Sequence, residues 1–407
     1  MSSSSSDDLL ARTLREEAGP LVARLSRRFG DFDLAEEAVQ GAVVEALSAW
    51  RRDGPPQRPG AWLQVAADRN AMDGMRLRDR QRALAARADV RLPDQGARDT
   101  DERLALLFAC CHPAIAPEAR LALTLRAVVG LTTPQIARAF LVHESTLAQR
   151  IVRAKRKIVS ARISLAVPAE SELTERLGDV LAVVYVMFNE GFVSSTGATQ
   201  DRDLAADAVW LAGVVATALP REAEAWGLAA LLTIQHARSR ARFVDGDLVL
   251  LRDQDRGLWD AAAIAEGERL IERAAALRRP GPYQLQAAIA AVHATGASWA
   301  DTDWLQIALL YDELARFDPS PVVRLNQAVA QAQVLGPAES LRQLDGLAAP
   351  LADYHLFHAT RAQLLSDLGR HDEAAAANRR ALELTTNDAE RRLLTTRLHR
   401  RRLDDGS

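Results

Sequence analysis

The sequence has little that would hold it in a membrane or stabilise it in an oxidising compartment. Its two cysteines, Cys110 and Cys111, are neighbours. Neighbouring cysteines rarely pair, so no disulfide framework is expected. The longest apolar runs, such as LAVVYVMF at 181–188, are far shorter than the roughly 20 residues that cross a bilayer. No basic segment followed by an apolar one opens the sequence, which argues against a secretory signal. These absences predict a cytoplasmic protein with no membrane partner.

Signatures of enzymes and of bound cofactors are also missing. The sequence has no Walker motif, no G-x-G-x-x-G fingerprint and no H-E-x-x-H motif. No nucleophile and base stand at a recognisable spacing for a hydrolase. Cys110, Cys111 and His112 do not form a zinc motif, because adjacent cysteines cannot easily both bind one tetrahedral ion. We therefore expect no catalytic residues, no metal site and no cofactor, and we do not expect an enzyme.

Helical periodicity is what the sequence has in abundance. Nearly every long segment repeats its apolar residues at helical spacing, and the alternation typical of strands is scarce. The main exception is DGDLVLL at 245–251, which is short enough to be a loop or one arm of a hairpin. The predicted fold class is therefore mainly α. Breaks rich in Pro and Gly divide the 407 residues into four predicted segments, 8–85, 100–163, 170–280 and 283–400.

The distribution of charge differs between the two halves of the sequence. Residues 1–165 carry 26 Lys and Arg against 20 Asp and Glu. Subtraction from the totals of 51 and 54 leaves 25 against 34 for residues 166–407. A basic first half suits a polyanionic partner, whereas an acidic second half would be repelled by DNA unless it faced elsewhere. The two halves are expected to meet different partners.

The stretch LTTPQIARAFLVHESTLAQRIVRAKRKI at 131–158 has the pattern of a DNA-reading helix pair. An apolar stripe on its second helix would pack against a first helix around Ile136, Ala137 and Phe140; the stripe comprises Leu147, Ile151, Ala154 and Ile158. Side chains that donate hydrogen bonds occupy the neighbouring stripe, and they are Thr146, Gln149, Arg150, Arg153 and Lys157. The second helix should begin near Glu144–Ser145, where a polar cap and backbone N–H groups could meet a phosphate. Phosphates would also pass further along this helix, at Arg153, Lys155, Arg156 and Lys157.

This stretch alone leaves a second interpretation open, a basic helix face that simply contacts solvent. The turn between such helices usually contains glycine, but Leu141 stands in its place here. A left-handed conformation at Leu141 would cost on the order of 1 kcal/mol, so a differently shaped turn is expected.

Two segments nearer the start make the pattern specific. The segment DFDLAEEAVQGAVVEALSAW at 31–50 predicts an amphipathic helix with an acidic start. The segment PGAWLQVAADRNAMDGMRLRDRQR at 59–82 interleaves arginines with Trp62, Asn70 and Asp73. This pair resembles region 2 of sigma-70-family transcription initiation factors of the extracytoplasmic-function (ECF) group, and 131–158 resembles region 4 of the same family. The matched segments cover roughly residues 8–163.

The resemblance implies roles for residues in both regions. Polymerase binding would fall to Glu36, Glu37 and Gln40, and contact with the −10 element to Arg69, Asn70, Arg76, Arg78 and Arg80. The −35 element would be read or positioned by Thr146, Gln149, Arg150, Arg153 and Lys157. Core RNA polymerase and promoter DNA are the implied partners. From the residues alone, Glu36, Glu37 and Gln40 could also be a solvated acidic face, and Asn70 a surface or capping amide.

The remainder of the sequence resembles the ECF subgroup with a fused C-terminal extension of TPR-like helical repeats, which implies regulation in cis. Gly336 and Gly369, 33 residues apart, each separate two helical stretches, close to the 34-residue tetratricopeptide period. An irregular bundle of antiparallel helices is the alternative. TPR-like stacks bind peptides or domains on a concave surface, so a protein or ligand partner is expected there.

Polar residues within otherwise apolar helices of the extension could line a groove or form buried hydrogen-bond networks. They are Asn189, Glu190, Asp253, Gln254, Asp255, Arg256, Trp259, Tyr283, Gln284, Gln286 and His293. The runner-up function for the whole chain is a TPR-linked helix-turn-helix regulator that does not join the polymerase. A third is a TPR scaffold that does not bind DNA.

Overall fold

The computed structural model describes residues 3–83, 102–140, 142–193 and 203–404. Its contacts divide the chain into two compact units, Met1–Met187 and Phe188–Ser407. Helices account for 77% of the structure and there is almost no sheet, which confirms the mainly α class. Among the described helices, none is both long and apolar enough to span a bilayer.

The described part of the first unit is helical, and α8 contains the boundary between the two units. They are α1 (Ser3–Phe29), α2 (Phe32–Asp53), α3 (Pro59–Ala83), α4 (Glu102–Cys110), α5 (Pro117–Thr124), α6 (Thr133–Ala139), α7 (Glu144–Ser160) and α8 (Glu170–Val193). A π-helical turn, Leu125–Val129, follows α5 directly.

Small residues let α2 and α3 pack closely. The Asp31 carboxylate caps α2 by accepting a hydrogen bond from the Leu34 backbone N–H at 3.0 Å. Buried alanines line the facing sides of the two helices. A Cβ at Gly41 would lie 2.9 Å from the Asn70 amide nitrogen, so a larger residue there would require the Asn70 side chain to shift. The Trp50 and Trp62 rings meet edge to face with centroids 5.8 Å apart, which makes Trp62 a packing residue.

The α6–α7 pair packs as the apolar pattern predicted. The confirmed buried stripe of α7 comprises Leu147, Ile151, Ala154 and Ile158. On the first helix Ile136 and Ala137 are buried. Thr132 and Gln135 form a reciprocal cap at the start of α6, since Gln135 Oε1 accepts from the Thr132 N–H at 2.8 Å and the Thr132 hydroxyl oxygen accepts from the Gln135 N–H at 3.3 Å.

The second unit continues with helices and one small hairpin. Its elements are α9 (Leu204–Ala218), α10 (Ala223–His236), β1 (Phe243–Val244), β2 (Asp247–Leu248), α11 (Ala261–Ala276), α12 (Pro282–Thr295), α13 (Trp304–Phe317), α14 (Pro321–Leu335), α15 (Pro337–Asp345), α16 (His355–Asp367), α17 (His371–Leu384) and α18 (Asp388–Asp404). The strands pair antiparallel, so the hairpin alternative for 245–251 is the one observed.

Helices α14 to α17 share one apolar core. Phe357 and Leu365 of α16, Leu344 of α15 and Ala374 of α17 belong to it. Gly336 has φ of 87° and Gly369 has φ of 71°, and each separates two consecutive helices as predicted. Whether these helices form a true TPR stack stays a prediction.

Candidate nucleic-acid interface

One face of α7 presents polar and cationic side chains opposite the buried stripe. Those that are exposed are Thr146, Gln149, Arg153 and Lys157, and Arg150 is half-buried. Among the residues that the structure describes, no carboxylate lies within ion-pair distance of Arg150, Arg153 or Lys157. These predicted −35 residues therefore share one accessible surface whose positive charge is not neutralised, which suits a phosphate backbone.

The start of α7 is less strongly capped than the sequence suggested. The helix begins at Glu144, as expected, but no side chain accepts from its first backbone N–H groups. The Ser145 hydroxyl instead lies 2.9 Å from His143 Nδ1. The expected departure at Leu141 lies outside the described residues.

The predicted −10 residues on α3 have different surroundings. Arg69 is exposed and forms an ion pair with Glu45 of α2. Arg76 is exposed and contacts Asp73 one turn earlier, at 3.2 Å. The Asn70 amide, half-buried, donates to the Ala38 carbonyl oxygen at 3.4 Å, which gives it a packing role between α2 and α3 in this structure. The side chains of Arg78 and Arg80 lie outside the described residues.

The predicted polymerase-binding residues at the start of α2 do not share one environment. Glu37 and Gln40 are exposed, whereas Glu36 is buried with 6% of its surface exposed. Glu36 Oε1 accepts from Gln40 Nε2 at 2.8 Å and lies 2.5 Å from Arg126 Nε. Glu36 is therefore not part of a solvated acidic face in this structure.

Lys155 completes this cluster from α7. Its Nζ forms an ion pair with Glu36 and a second with Asp33 at 2.9 Å, and it lies 5.4 Å from the centre of the Phe32 ring. Burial alone would lower the pKa of Lys155, but the charge and hydrogen bonds of Glu36 and then Asp33 outweigh it and raise that pKa. The expectation that Lys155 faces passing phosphates is wrong for this structure, because its side chain packs against α2.

Arg126 is a residue that the sequence interpretation missed, and Lys155 is one to which it gave the wrong surroundings. We name the group formed by Asp33, Glu36, Arg126 and Lys155 the α2–α7 charge cluster. Lys155 follows Leu147 and Ile151 at intervals of four, so it continues the buried stripe. That spacing could have shown that it faces the protein. No sequence pattern marks Arg126, which reaches Glu36 from the π-helical turn.

Several polar groups of the second unit belong to local networks. Glu224 accepts from the backbone N–H groups of Tyr283 and Gln284, at 2.8 and 3.1 Å, and so caps α12. Asp255 accepts from the Gly257 N–H at 2.8 Å. The Gln284 side chain also donates to Glu224, at 3.0 Å, so it belongs to a local hydrogen-bond network. Arg256, Trp259 and His293 are treated below.

The adjacent cysteines lie inside the first unit. Cys110 and Cys111 are buried free thiols, and burial raises the pKa of Cys111 to about 12. Within the described parts of the chain, no group of three or more His, Cys, Asp or Glu side chains could hold a metal ion.

Comparisons with known proteins match two separate segments of the chain and most of its length. A family model described as sigma-70, region 4 matches residues 105–158. A model described as a family of unknown function, DUF6596, matches residues 176–275. An uncharacterized protein of Rhizobium meliloti (strain 1021) is 42% identical over 395 residues, which cover 94% of this chain and 93% of that protein. No solved structure matches the chain.

Proposed function

We propose that this chain is a sigma-70-family transcription initiation factor of the ECF type, on the support of the sigma-70 region 4 model that matches residues 105–158. Its region 4 domain implies interaction with RNA polymerase and promoter DNA. In this proposal the protein binds core RNA polymerase, recognises the −35 and −10 elements and starts transcription. The observation that carries the proposal is the exposed cationic face of α7, which lies within the segment that matches region 4.

The α7 face has the chemistry needed for the −35 element. Arg150 and Arg153 can donate in pairs to guanine edges or to phosphates, and Gln149 can donate to and accept from adenine. The apolar stripe behind them fixes the helix on its neighbours, so these side chains are presented from a rigid support. Lys157, near the end of the helix, would contact the backbone.

The contacts proposed for region 2 need a different arrangement of one residue. Arg69 and Arg76 are exposed on α3 and could contact the phosphates of the −10 element. Glu37 and Gln40 are accessible for binding core polymerase. Glu36 could take part only after α2 and α7 separate, because its carboxylate is held by Arg126 and Lys155.

Regulation in cis by the C-terminal helical domain is supported by the extent of the shared chain. The Rhizobium meliloti protein matches over nearly its whole length, so both proteins carry the region 4 segment and the extension together. A helical extension of this size offers a large surface for a protein or ligand partner. We propose that such binding changes the output of the initiation unit.

Run-off transcription tests the proposal. Purified protein is combined with core RNA polymerase and a library of promoter fragments, and transcripts are mapped. The Arg150→Ala/Arg153→Ala double variant should lose specific transcript at least about tenfold, because each lost base contact costs about 1–3 kcal/mol. A matched control is Arg269→Ala/Arg316→Ala, which removes two exposed arginines from helices of the second unit.

The outcomes separate the alternatives. Binding to duplex DNA without binding to core polymerase would identify a helix-turn-helix regulator instead. Absence of DNA binding, with no effect of the α7 substitutions, would favour a scaffold. A chain that ends at residue 193, after α8, run beside the full-length protein, tests the extension. Unchanged transcription would contradict the regulatory part of the proposal and leave the rest standing.

A further inference from the structure

The second unit holds an arginine in its interior with no acidic partner within ion-pair distance among the described residues. This arginine, Arg238, has 8% of its surface exposed, and the nearby Arg242 is half-buried. Within the described residues, no carboxylate lies within ion-pair distance of either guanidinium. Burial, followed for Arg238 by the charges of Arg242 and Arg256, lowers the pKa of both groups to about 10, although the charge of Glu390 acts in the opposite direction on Arg242. Both remain positively charged at neutral pH despite that cost.

Arg238 and Arg256 converge on a single aromatic ring. Their guanidinium carbons lie 5.8 and 4.7 Å from the centre of the Trp259 ring. Cation–π attraction offsets part of the cost of desolvating an arginine, but it does not cancel the charge. Two like charges held beside one ring repel each other, and a third, Arg242, acts on Arg238 from nearby.

His293 extends this cluster toward half-buried aromatic residues. Burial first, and then the charges of Arg238 and Arg256, lowers the pKa of His293 to about 4. The His293 ring stacks on Trp299 with centroids 6.2 Å apart and meets Trp304 edge-on at 5.1 Å. Trp299 and His293 itself are only half-buried, so the cluster reaches the surface of the unit.

Several buried polar atoms in this region lack a hydrogen-bond partner. They are Arg238 Nε, Arg242 Nε, Trp259 Nε1, His293 Nδ1 and Gln254 Oε1. Three of these atoms can only donate, and His293 Nδ1 can donate in one tautomer. An unmatched buried donor is costly, and native interiors contain few of them. Three of these five atoms are therefore donors that need an acceptor, whereas Gln254 Oε1 can only accept.

We infer that the cluster of Arg238, Arg242, Arg256, Trp259 and His293 is a binding site for a small oxyanion. A phosphate or carboxylate group would supply several acceptor oxygens and the missing negative charge together. Water alone could accept from the donors but would not neutralise the arginines. Four of these residues lie in the segment that matches a family of unknown function, so the site would give that segment a ligand class.

In this proposal Arg256 would hold the ligand from the end of α12. Its Nη1 donates to the His293 carbonyl at 2.7 Å and to the Gly296 carbonyl, which fixes the arginine across the end of α12. Arg238 would face the ligand from the inner side, where its Nη2 is already held by Gln235. The aromatic rings of Trp259 and Trp299 would shield the bound charge from water.

Thermal unfolding and tryptophan fluorescence of the full-length protein test the site. Inorganic phosphate, sulfate and succinate are each exchanged for chloride at constant ionic strength. At saturation the midpoint should rise by about 2–4 °C for the preferred anion. The fluorescence of Trp259, Trp299 and Trp304 should change with a hyperbolic dependence on that anion. A response to phosphate and sulfate alone would identify a phosphate-type ligand, and a response to succinate alone a carboxylate.

Arg238→Met separates a ligand site from a structural cluster. The variant should lose the midpoint shift and the fluorescence change, and in chloride it should melt at the wild-type temperature or above, because an uncompensated buried charge is gone. Arg316→Met, at an exposed position of α13, should keep the full response. A wild-type protein that responds to none of the three anions would overturn the inference, as would an unchanged response in Arg238→Met. If that variant does not fold, the wild-type titrations still decide.

Discussion

The two units of this protein treat buried positive charge in opposite ways. In Met1–Met187, the side chains of Arg126 and Lys155 are only 16% and 14% exposed, and both contact the carboxylate of Glu36. In Phe188–Ser407, Arg238 has 8% of its surface exposed and, among the described residues, no carboxylate within ion-pair distance. For these two sites, the comparison indicates that the Glu36 site has its counter-charge within the chain, whereas the Arg238 site would obtain it from a ligand.

The paired arrangement also carries positional information. Lys155 and Glu36 are 119 residues apart in the sequence, so their ion pair joins the proposed −35 helix to the proposed polymerase-binding helix. Buried ion pairs contribute little net stability compared with apolar packing, but they penalise every arrangement that leaves one partner alone. The α2–α7 charge cluster therefore specifies one arrangement of these helices.

Glu36→Gln should produce the largest effect, because it removes the carboxylate that pairs with Arg126 and leaves Lys155 with only the exposed Asp33 as a counter-charge. Removing one partner of a buried pair typically costs about 3–5 kcal/mol. Urea denaturation should show a loss of about 3 kcal/mol in the free energy of unfolding of the first unit. Hydrogen exchange should become faster in peptides from α2 and α7.

Two further variants make that result specific. Glu37→Gln changes the neighbouring exposed residue and should alter stability by less than about 0.5 kcal/mol. Lys155→Met, added to Glu36→Gln, should recover part of the lost free energy of unfolding, because it removes one of the two cations that pair with Glu36. If the two substitutions lower the free energy of unfolding additively, Glu36 and Lys155 are not energetically coupled. The comparison of paired and unpaired buried charges would then fail.

Acidification should destabilise the second unit through His293. Burial and the nearby arginines lower its folded pKa to about 4, against 6.5 for an ordinary histidine. Between these values the unfolded chain binds a proton that the folded chain does not bind. Stability is therefore lost as the pH falls from about 6.5 to about 4, by at most about 3 kcal/mol.

Urea denaturation at pH 7 and pH 5 of wild type and His293→Gln measures this contribution. The variant should lose less stability on acidification than wild type does. A saturating oxyanion should also reduce the loss, because it offsets the charges of Arg238 and Arg256 that hold the pKa of His293 down. An equal pH dependence in both proteins would show that His293 does not titrate differently on folding.

Local features of this fold could be predicted from the sequence, and contacts between distant segments could not. Helical spacing predicted the buried stripe from Leu147 to Ile158, and Gly336 and Gly369 marked helix boundaries. These properties depend on a few neighbouring residues. The burial of Glu36 depends on which helix packs against α2, and a periodic pattern contains no information about that choice.

The same limit applies to the candidate sites. The region 2 pattern singled out Asn70. Whether its amide contacts a base or the Ala38 carbonyl is decided by the distance between α2 and α3. Of the arginine cluster in the second unit, the sequence pattern pointed to Arg256, Trp259 and His293. Arg238 and Arg242 were not singled out, because an arginine at the end of an apolar helix usually faces solvent.

The smallest effect should come from an exposed pair, Arg69 and Glu45, which provides the reference for both kinds of buried charge. Their side chains are 58% and 37% exposed, so water and salt screen the attraction. Glu45→Gln should lower the free energy of unfolding by less than about 1 kcal/mol in urea denaturation at low salt, and the difference should vanish at high salt. A loss as large as that of Glu36→Gln would mean that burial does not set the strength of these pairs. With a small loss, the cost of Glu36→Gln can be assigned to desolvation of the charges left behind, the same cost that an oxyanion would relieve at Arg238.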